Sequence, residues 1–215
     1  MNTDKKQALS VHLQAIRRML IVSVASVAVL FVLFFYLLCG PLVDFVLAPV
    51  RARGIEVITT SVSEALMMQF KVCLIAAVIA GMPVIIWQVW VFVAPALYPQ
   101  EKRLFAALFF VALLLFVGGV VFCYCLVFPM AIDLFWSAAD GVASTLWSVK
   151  EYFNFVLSFV LPFGLMFELP VVVYMLARRG LVTYQKLAHS RKYVILVIAI
   201  IAAILTPPDA VSQCM

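Results

Sequence analysis

The sequence predicts an all-α, polytopic integral membrane protein, and three observations carry that prediction. The 215 residues are 67% hydrophobic and only 12% charged, where an ordinary soluble domain is about half apolar and a quarter charged. Mean hydropathy is +1.19, more apolar surface than a water-soluble fold of this length can hide. The charges also leave long uncharged runs, which suits several helices with a bilayer as solvent.

The spans follow in order. Met19 to Leu38 carries no charge, and residues 19–38 form the first span. Val72 to Gln100 carries none, with Pro95 and Pro99 marking a loop at its end, so the second span is about 72–95. Leu104 to Ile132 is uncharged, and Pro129 is expected to break it, which gives a third span of about 104–128. Tyr152 to Ala177 holds one charge, Glu168, and forms the fourth span, about 152–177. A fifth, about 193–206, is short against the roughly 20 residues a perpendicular helix needs, so it requires thinned lipid, polar neighbours or a partner. The first run is too long for a signal-peptide core, and no small-x-small cleavage pattern precedes a soluble domain. Residues 1–215 read as a single membrane domain.

Between the spans, residues 1–18 are basic and helix-competent. Leu9, Leu13, Ile16 and Leu20 recur at three or four residues, so this segment is expected along the membrane surface before turning in. Residues 39–71 read as a long loop broken by Gly40-Pro41, Pro49 and Gly54, with a helical piece around Ser63 to Phe70. Residues 95–103, 130–151 and 178–192 are the other connections.

The net charge is +5, and its placement explains it better than nucleic-acid binding does. Alternating sides put Lys5, Lys6, Arg17, Arg18, Lys102, Arg103, Arg178, Arg179, Lys186, Arg191 and Lys192 together, and only Arg51, Arg53, Lys71 and Lys150 opposite. The positive-inside rule then places the N-terminus in the cytoplasm. Asp44, Glu56, Glu64, Asp133, Asp140, Glu151 and Asp209 fall outside.

Enzymatic chemistry finds no residues to carry it. HExxH, Walker A, GxSxG and GxGxxG patterns are missing, and His12 and His189 are isolated. Among five cysteines, Cys123 and Cys125 point apart on a helix. No CxxC or Cys/His cluster suggests a metal or redox role, so the cysteines read as packing residues. No cofactor is expected.

Three polar positions stand out. Glu168, in Phe163-Gly164-Leu165-Met166-Phe167-Glu168-Leu169-Pro170, lies ten residues before Arg178, about 15 Å at 1.5 Å per residue. A carboxylate at that depth is costly unless protonated, paired or facing water. Pro162 and Pro170 bracket it with missing backbone donors. Structural glue between helices is one reading; a wet cavity or partner-docking site is the favoured one. Glu101, in Leu97-Tyr98-Pro99-Gln100-Glu101-Lys102-Arg103, fits a solvated helix N-terminus, yet a lone acid among bases could also pair with a guanidinium. Leu205-Thr206-Pro207-Pro208-Asp209 ends the last helix.

Together these segments resemble the TatC family of twin-arginine protein translocases. His12-Leu13-x-x-x-Arg17 looks like the family's HLxELR signature. Gln88 to Tyr98 with Glu101-Lys102-Arg103, Gly118 to Tyr124 with Pro129, Phe163 to Pro170, and Leu205 to Gln213 follow in the family's order, from residue 12 to the end. The resemblance implies a receptor in the bacterial inner membrane that binds twin-arginine signal peptides of folded cargo at the cytoplasmic face. It implies TatA and TatB as partners, a homo-oligomer within a TatBC-type complex, and export driven by the proton-motive force. By residue match, Glu101, Arg17, Phe92 and Arg103 form the signal-peptide region. Glu168, Thr206 and Gln213 face intramembrane partners. Pro49, Tyr124, Pro170, Pro207, Pro208 and Asp209 are structural signature positions. Two departures stand out. Ala15 occupies the place of the signature's acid, so recognition should rest more on Glu101. A sixth short span, expected in the family after Gln213, is not in the sequence, which suggests truncation.

A proton-coupled solute transporter titrating Glu168 is the alternative. It lacks a second intramembrane acid and an inverted repeat. An insertase would require an intramembrane basic residue, and these spans hold none.

Overall fold

The computed structural model describes residues 2–93, 102–139 and 146–178, with 192, 195, 196, 199 and 200 beyond them; side chains are described over 13–91, 106–137 and 146–178 and at those last five positions. The elements in chain order are α1 (Asn2–Leu37), α2 (Cys39–Arg51), β1 (Val57–Ile58), α3 (Val62–Val93), α4 (Lys102–Phe122), a π-helical turn (Cys123–Val127), α5 (Phe128–Ala139), β2 (Trp147–Ser148) and α6 (Val149–Arg178). Four helical stretches are long and apolar enough to cross a membrane: Leu13–Leu37, Val62–Val91, Ala106–Ser137 and Val149–Arg178. They correspond to the first four spans expected from sequence. The fifth lies almost wholly outside the described residues.

Three expectations are corrected. Residues 2–18 do not turn before the first span. They are one helix with it, because nothing from Asn2 to Leu37 is Gly or Pro. At 36 residues and 1.5 Å each, α1 runs about 54 Å, well beyond a hydrocarbon core of roughly 30 Å. The stretch 39–51, read as loop, is helix α2. Pro41 sits in its first turn, where backbone N–H groups have no intrahelical acceptor anyway, and Pro49 sits in its last. Third, Pro129 does not break the third span. The chain widens into a π turn just before it, where the Phe128 N–H donates to the Cys123 carbonyl five residues back. A proline ring collides with the carbonyl four residues back, and the wider turn accommodates it. The all-α fold class holds, with one short strand pair between two connections. Val57 and Ile58 pair in parallel with Trp147 and Ser148.

The chain divides into two compact units. The first comprises Met1–Phe45 and Gln69–Leu113, the second Val46–Met68 and Leu114–Met215. In the first, Phe35 and Phe31 of α1 stack on Phe70 of α3, with centroids 4.7 and 5.9 Å apart. Further along, a Cβ on Gly81 would lie 3.2 Å from Val27, so glycine permits the close approach of α3 to α1. Trp87 of α3 meets Phe109 of α4 edge to face at 5.5 Å.

In the second unit α4 and α6 interlock through reciprocal glycines. A Cβ on Gly164 would stand 2.5 Å from the ring of Phe116, and one on Gly119 would stand 2.8 Å from the Phe163 carbonyl and 2.9 Å from Phe167. Each helix therefore receives an aromatic ring of the other over a missing side chain. This close packing is how helices associate in lipid, where apolar burial supplies little drive.

Candidate functional site

The sequence directs attention to two places, the connection between α3 and α4 and the middle of α6. At the first, Phe92 lies in the last turn of α3 and Arg103 in the first turn of α4; their side chains and the whole of Glu101 lie outside the described residues. Arg17 is described, on α1, with its side chain exposed. Thr206, Pro207, Pro208, Asp209 and Gln213 also lie outside the described residues. Arg17 belongs to the first unit and Glu168 to the second.

Glu168 is half-buried on α6. Its Oε1 atom is buried and accepts no hydrogen bond among the described residues. Pro162 and Pro170 both lie inside α6, so the carbonyls of Ser158 and Met166 lack their usual helical donor. The Ser158 hydroxyl spends itself on the Asn154 carbonyl at 2.7 Å. Just before Glu168, Phe167 rests over Gly119, which fixes this turn of α6 against α4. A buried acceptor left unmade costs about 1–3 kcal/mol.

Two further signature positions, Tyr124 and Pro49, lie among the described residues. The Tyr124 ring stands in the π turn and meets Phe128 edge to face at 6.0 Å. Pro49 contributes its carbonyl to a clamp that no sequence motif indicated. Arg53 Nη1 donates to the Pro49 carbonyl at 3.0 Å, while Nε and Nη2 donate to the two carboxylate oxygens of Asp133 at 2.6 and 3.1 Å. Nη2 also reaches the Pro129 carbonyl at 3.5 Å. One guanidinium thus caps α2 and holds α5 with its fork. The hydrogen bond that Arg53 donates to Asp133 raises the Arg53 pKa further above its ordinary value, so the charge is permanent.

Around this clamp lies a polar cap. Gly54, with φ of +69°, ends α2 in a Schellman turn. The Ile55 N–H donates to Val50 (3.3 Å) and the Gly54 N–H to Arg51 (3.0 Å), and Ile55 and Val50 are both buried. Glu64 opens α3. Its Oε2 accepts from the Thr60 N–H, the Thr60 hydroxyl and the Ser61 N–H at 2.6, 2.9 and 3.1 Å. Its Oε1 accepts from the Ser148 hydroxyl at 3.2 Å. The last bond joins the start of α3 to β2, and the Tyr152 hydroxyl joins α6 to α2 by donating to the Val46 carbonyl at 2.8 Å. Ser61-Val62-Ser63-Glu64 is the capping-box pattern, a local signal that could have located the start of α3.

Long apolar helices interlocked through small residues, a half-buried carboxylate in one span and a polar cap over the loops define a multi-pass membrane protein. The comparisons with known proteins make this specific. The profile of the family described as Sec-independent protein translocase protein (TatC) matches residues 11–215. The TatC of Carboxydothermus hydrogenoformans is 38% identical over 211 residues, covering 98% of this chain and 86% of that protein. The TatC of Haemophilus influenzae is 34% identical, covering 99% and 84%. The crystal structure of a twin-arginine translocase receptor TatC superposes with a TM-score of 0.87 at 35% identity, covering 94% of this chain and 90% of that one. The chain belongs to the TatC family.

Proposed function

We propose that this chain is the signal-peptide receptor of a twin-arginine translocase in the bacterial inner membrane, with its N-terminus in the cytoplasm. It binds the paired arginines of a folded cargo's signal peptide and, with TatA and TatB subunits, exports the cargo using the proton-motive force. The observation that carries this reading is Glu101, a lone carboxylate beside Lys102 and Arg103 in the connection between α3 and α4 of a TatC-family chain. A carboxylate grips a guanidinium through two parallel hydrogen bonds and an ammonium through fewer. Arg17, Phe92 and Arg103 shape the same recognition region. The chain performs no covalent chemistry.

Glu168 has a separate task. Its buried Oε1 without a donor supports a docking point for a polar group on a partner's membrane helix, with Thr206 and Gln213 in the same partner-binding role. The chain works as a homo-oligomer within a TatBC-type complex. The test is export of a folded fluorescent reporter behind a twin-arginine signal, in cells whose own TatC is deleted and replaced by this chain. Glu101→Ala should abolish both export and peptide binding. Glu168→Ala should leave binding within about twofold and cut export at least about tenfold, since an intramembrane polar contact is worth about 1–2 kcal/mol. Equal loss of both activities in Glu168→Ala would remove the division of labour, and no export by the parent chain would refute the receptor assignment.

A further inference from the structure

We propose that a cavity beside the first turn of α6 binds the ammonium head of a zwitterionic phospholipid in the outer leaflet of the membrane. The cavity has a volume of about 330 Å³ and is lined by Phe135 of α5, Trp147 and Ser148 of β2, and Glu151, Tyr152 and Phe155 of α6. Four of these six side chains are aromatic. Phe135 and Phe155 meet edge to face with centroids 5.4 Å apart, and Trp147 is tilted against Tyr152 at 6.3 Å. The rings therefore stand at angles to one another, as the walls of a box do, and an ammonium over the face of such a ring is attracted by its quadrupole.

The polar groups of the wall narrow the choice of occupant. The Ser148 hydroxyl donates to Glu64 at 3.2 Å and the Tyr152 hydroxyl to the Val46 carbonyl at 2.8 Å, so neither proton is left for a ligand. Glu151 is exposed and makes no hydrogen bond or ion pair among the described residues. No base lines the cavity, and the sequence from Pro129 to Val149 contains no Lys or Arg. An unpaired carboxylate beside aromatic rings calls for a cation. Lys150, exposed next to Glu151, and the positive end of the α6 dipole suit the phosphate that follows the ammonium in a zwitterionic head group. Depth points to lipid as the source. Helix α6, of 30 residues, runs about 45 Å at 1.5 Å each, the full thickness of a bilayer with its head groups. Its first turn, and the cavity with it, stands at head-group depth, where Trp and Tyr gather. In the orientation proposed above, on which the choice of leaflet rests, that is the outer leaflet.

The test titrates the full chain in detergent with dihexanoyl phosphatidylethanolamine and, separately, with dihexanoyl phosphatidylglycerol, and counts bound lipid by native mass spectrometry. The ethanolamine lipid should bind at least about threefold more tightly, the size of a modest cation–π contribution. Glu151→Gln and Trp147→Leu should each remove most of that preference. Glu151 bonds to nothing among the described residues, so Glu151→Gln should keep the parent's melting temperature and report on the ligand alone. Equal binding of the two lipids, or a preference that neither substitution changes, would overturn the proposal. Displacement of the lipid by N-acetyl-lysine amide at matched concentration would overturn the lipid assignment in favour of a partner's lysine. The titration uses neither a signal peptide nor a defined side of the membrane, so its failure is distinct from failure of the receptor reading.

Discussion

At the scale of single residues, local conformations follow from identities that only the structure makes visible. Gly54 is such a case. Its φ of +69° lies in the left-handed region, where a Cβ meets the following carbonyl at a cost of about 1–2 kcal/mol. Space is not the constraint, since nothing lies within 4 Å of a Cβ there. Gly54→Ala should therefore lower the melting temperature of the detergent-solubilised protein by a cost of that size, and Gly54→Asn, which tolerates this region, should lower it less. An equal drop in both would mean that strain at this φ is not the cause. Glu168 was legible from the sequence because an acid in an apolar run announces itself. The Arg53–Asp133 clamp was not, since the partners are 80 residues apart and neither carries a local pattern.

At the scale of elements, the sequence located helices better than their ends. Uncharged runs fixed the cores of α1, α3 and α6. Prolines misled, because their effect depends on where in a helix they fall. Pro41 and Pro49 sit in the end turns of α2, Pro129 follows a π turn, and Pro162 and Pro170 lie inside α6. The pairing of α4 with α6 was invisible for another reason: glycine in a span signals close approach without saying to what. That interlock makes a sharp prediction. In Gly164→Ala the new Cβ meets a Phe116 ring that is fully buried and cannot swing aside. The expected loss of stability is about 1–3 kcal/mol, the usual range for overpacking. Phe116→Leu should recover part of it in the double variant, because residues in contact are not additive. Thermal unfolding of the four proteins in one detergent checks this, and strict additivity would contradict the interlock.

For the whole molecule, composition alone identified the solvent, and the ordered motifs identified the family. The proposed orientation rests on eleven of fifteen basic residues falling in the segments that alternation of the spans assigns to one side. Impermeant labels should reach a cysteine placed at Ser61 from outside intact cells and one placed at Gln7 only after lysis. The reverse pattern would invert the topology and move Glu101 to the wrong compartment for cytoplasmic cargo. Length also matters here. Helices α1, α3 and α6, of 36, 32 and 30 residues, overreach the hydrocarbon core. The surplus on α3 places Glu64 with the polar cap built by α2, β1 and β2 rather than in lipid.

The most direct test of the receptor assignment is binding of a twin-arginine signal peptide to the full chain in membranes, against a twin-lysine control. Glu101→Ala and Ala15→Glu are measured alongside. The account predicts arginine-selective binding by at least about tenfold, since only the guanidinium fork bonds a carboxylate twice. It predicts loss of that selectivity in Glu101→Ala and tighter binding in Ala15→Glu, which restores the acid of the family signature. Equal binding of both peptides, unchanged by either substitution, would contradict it.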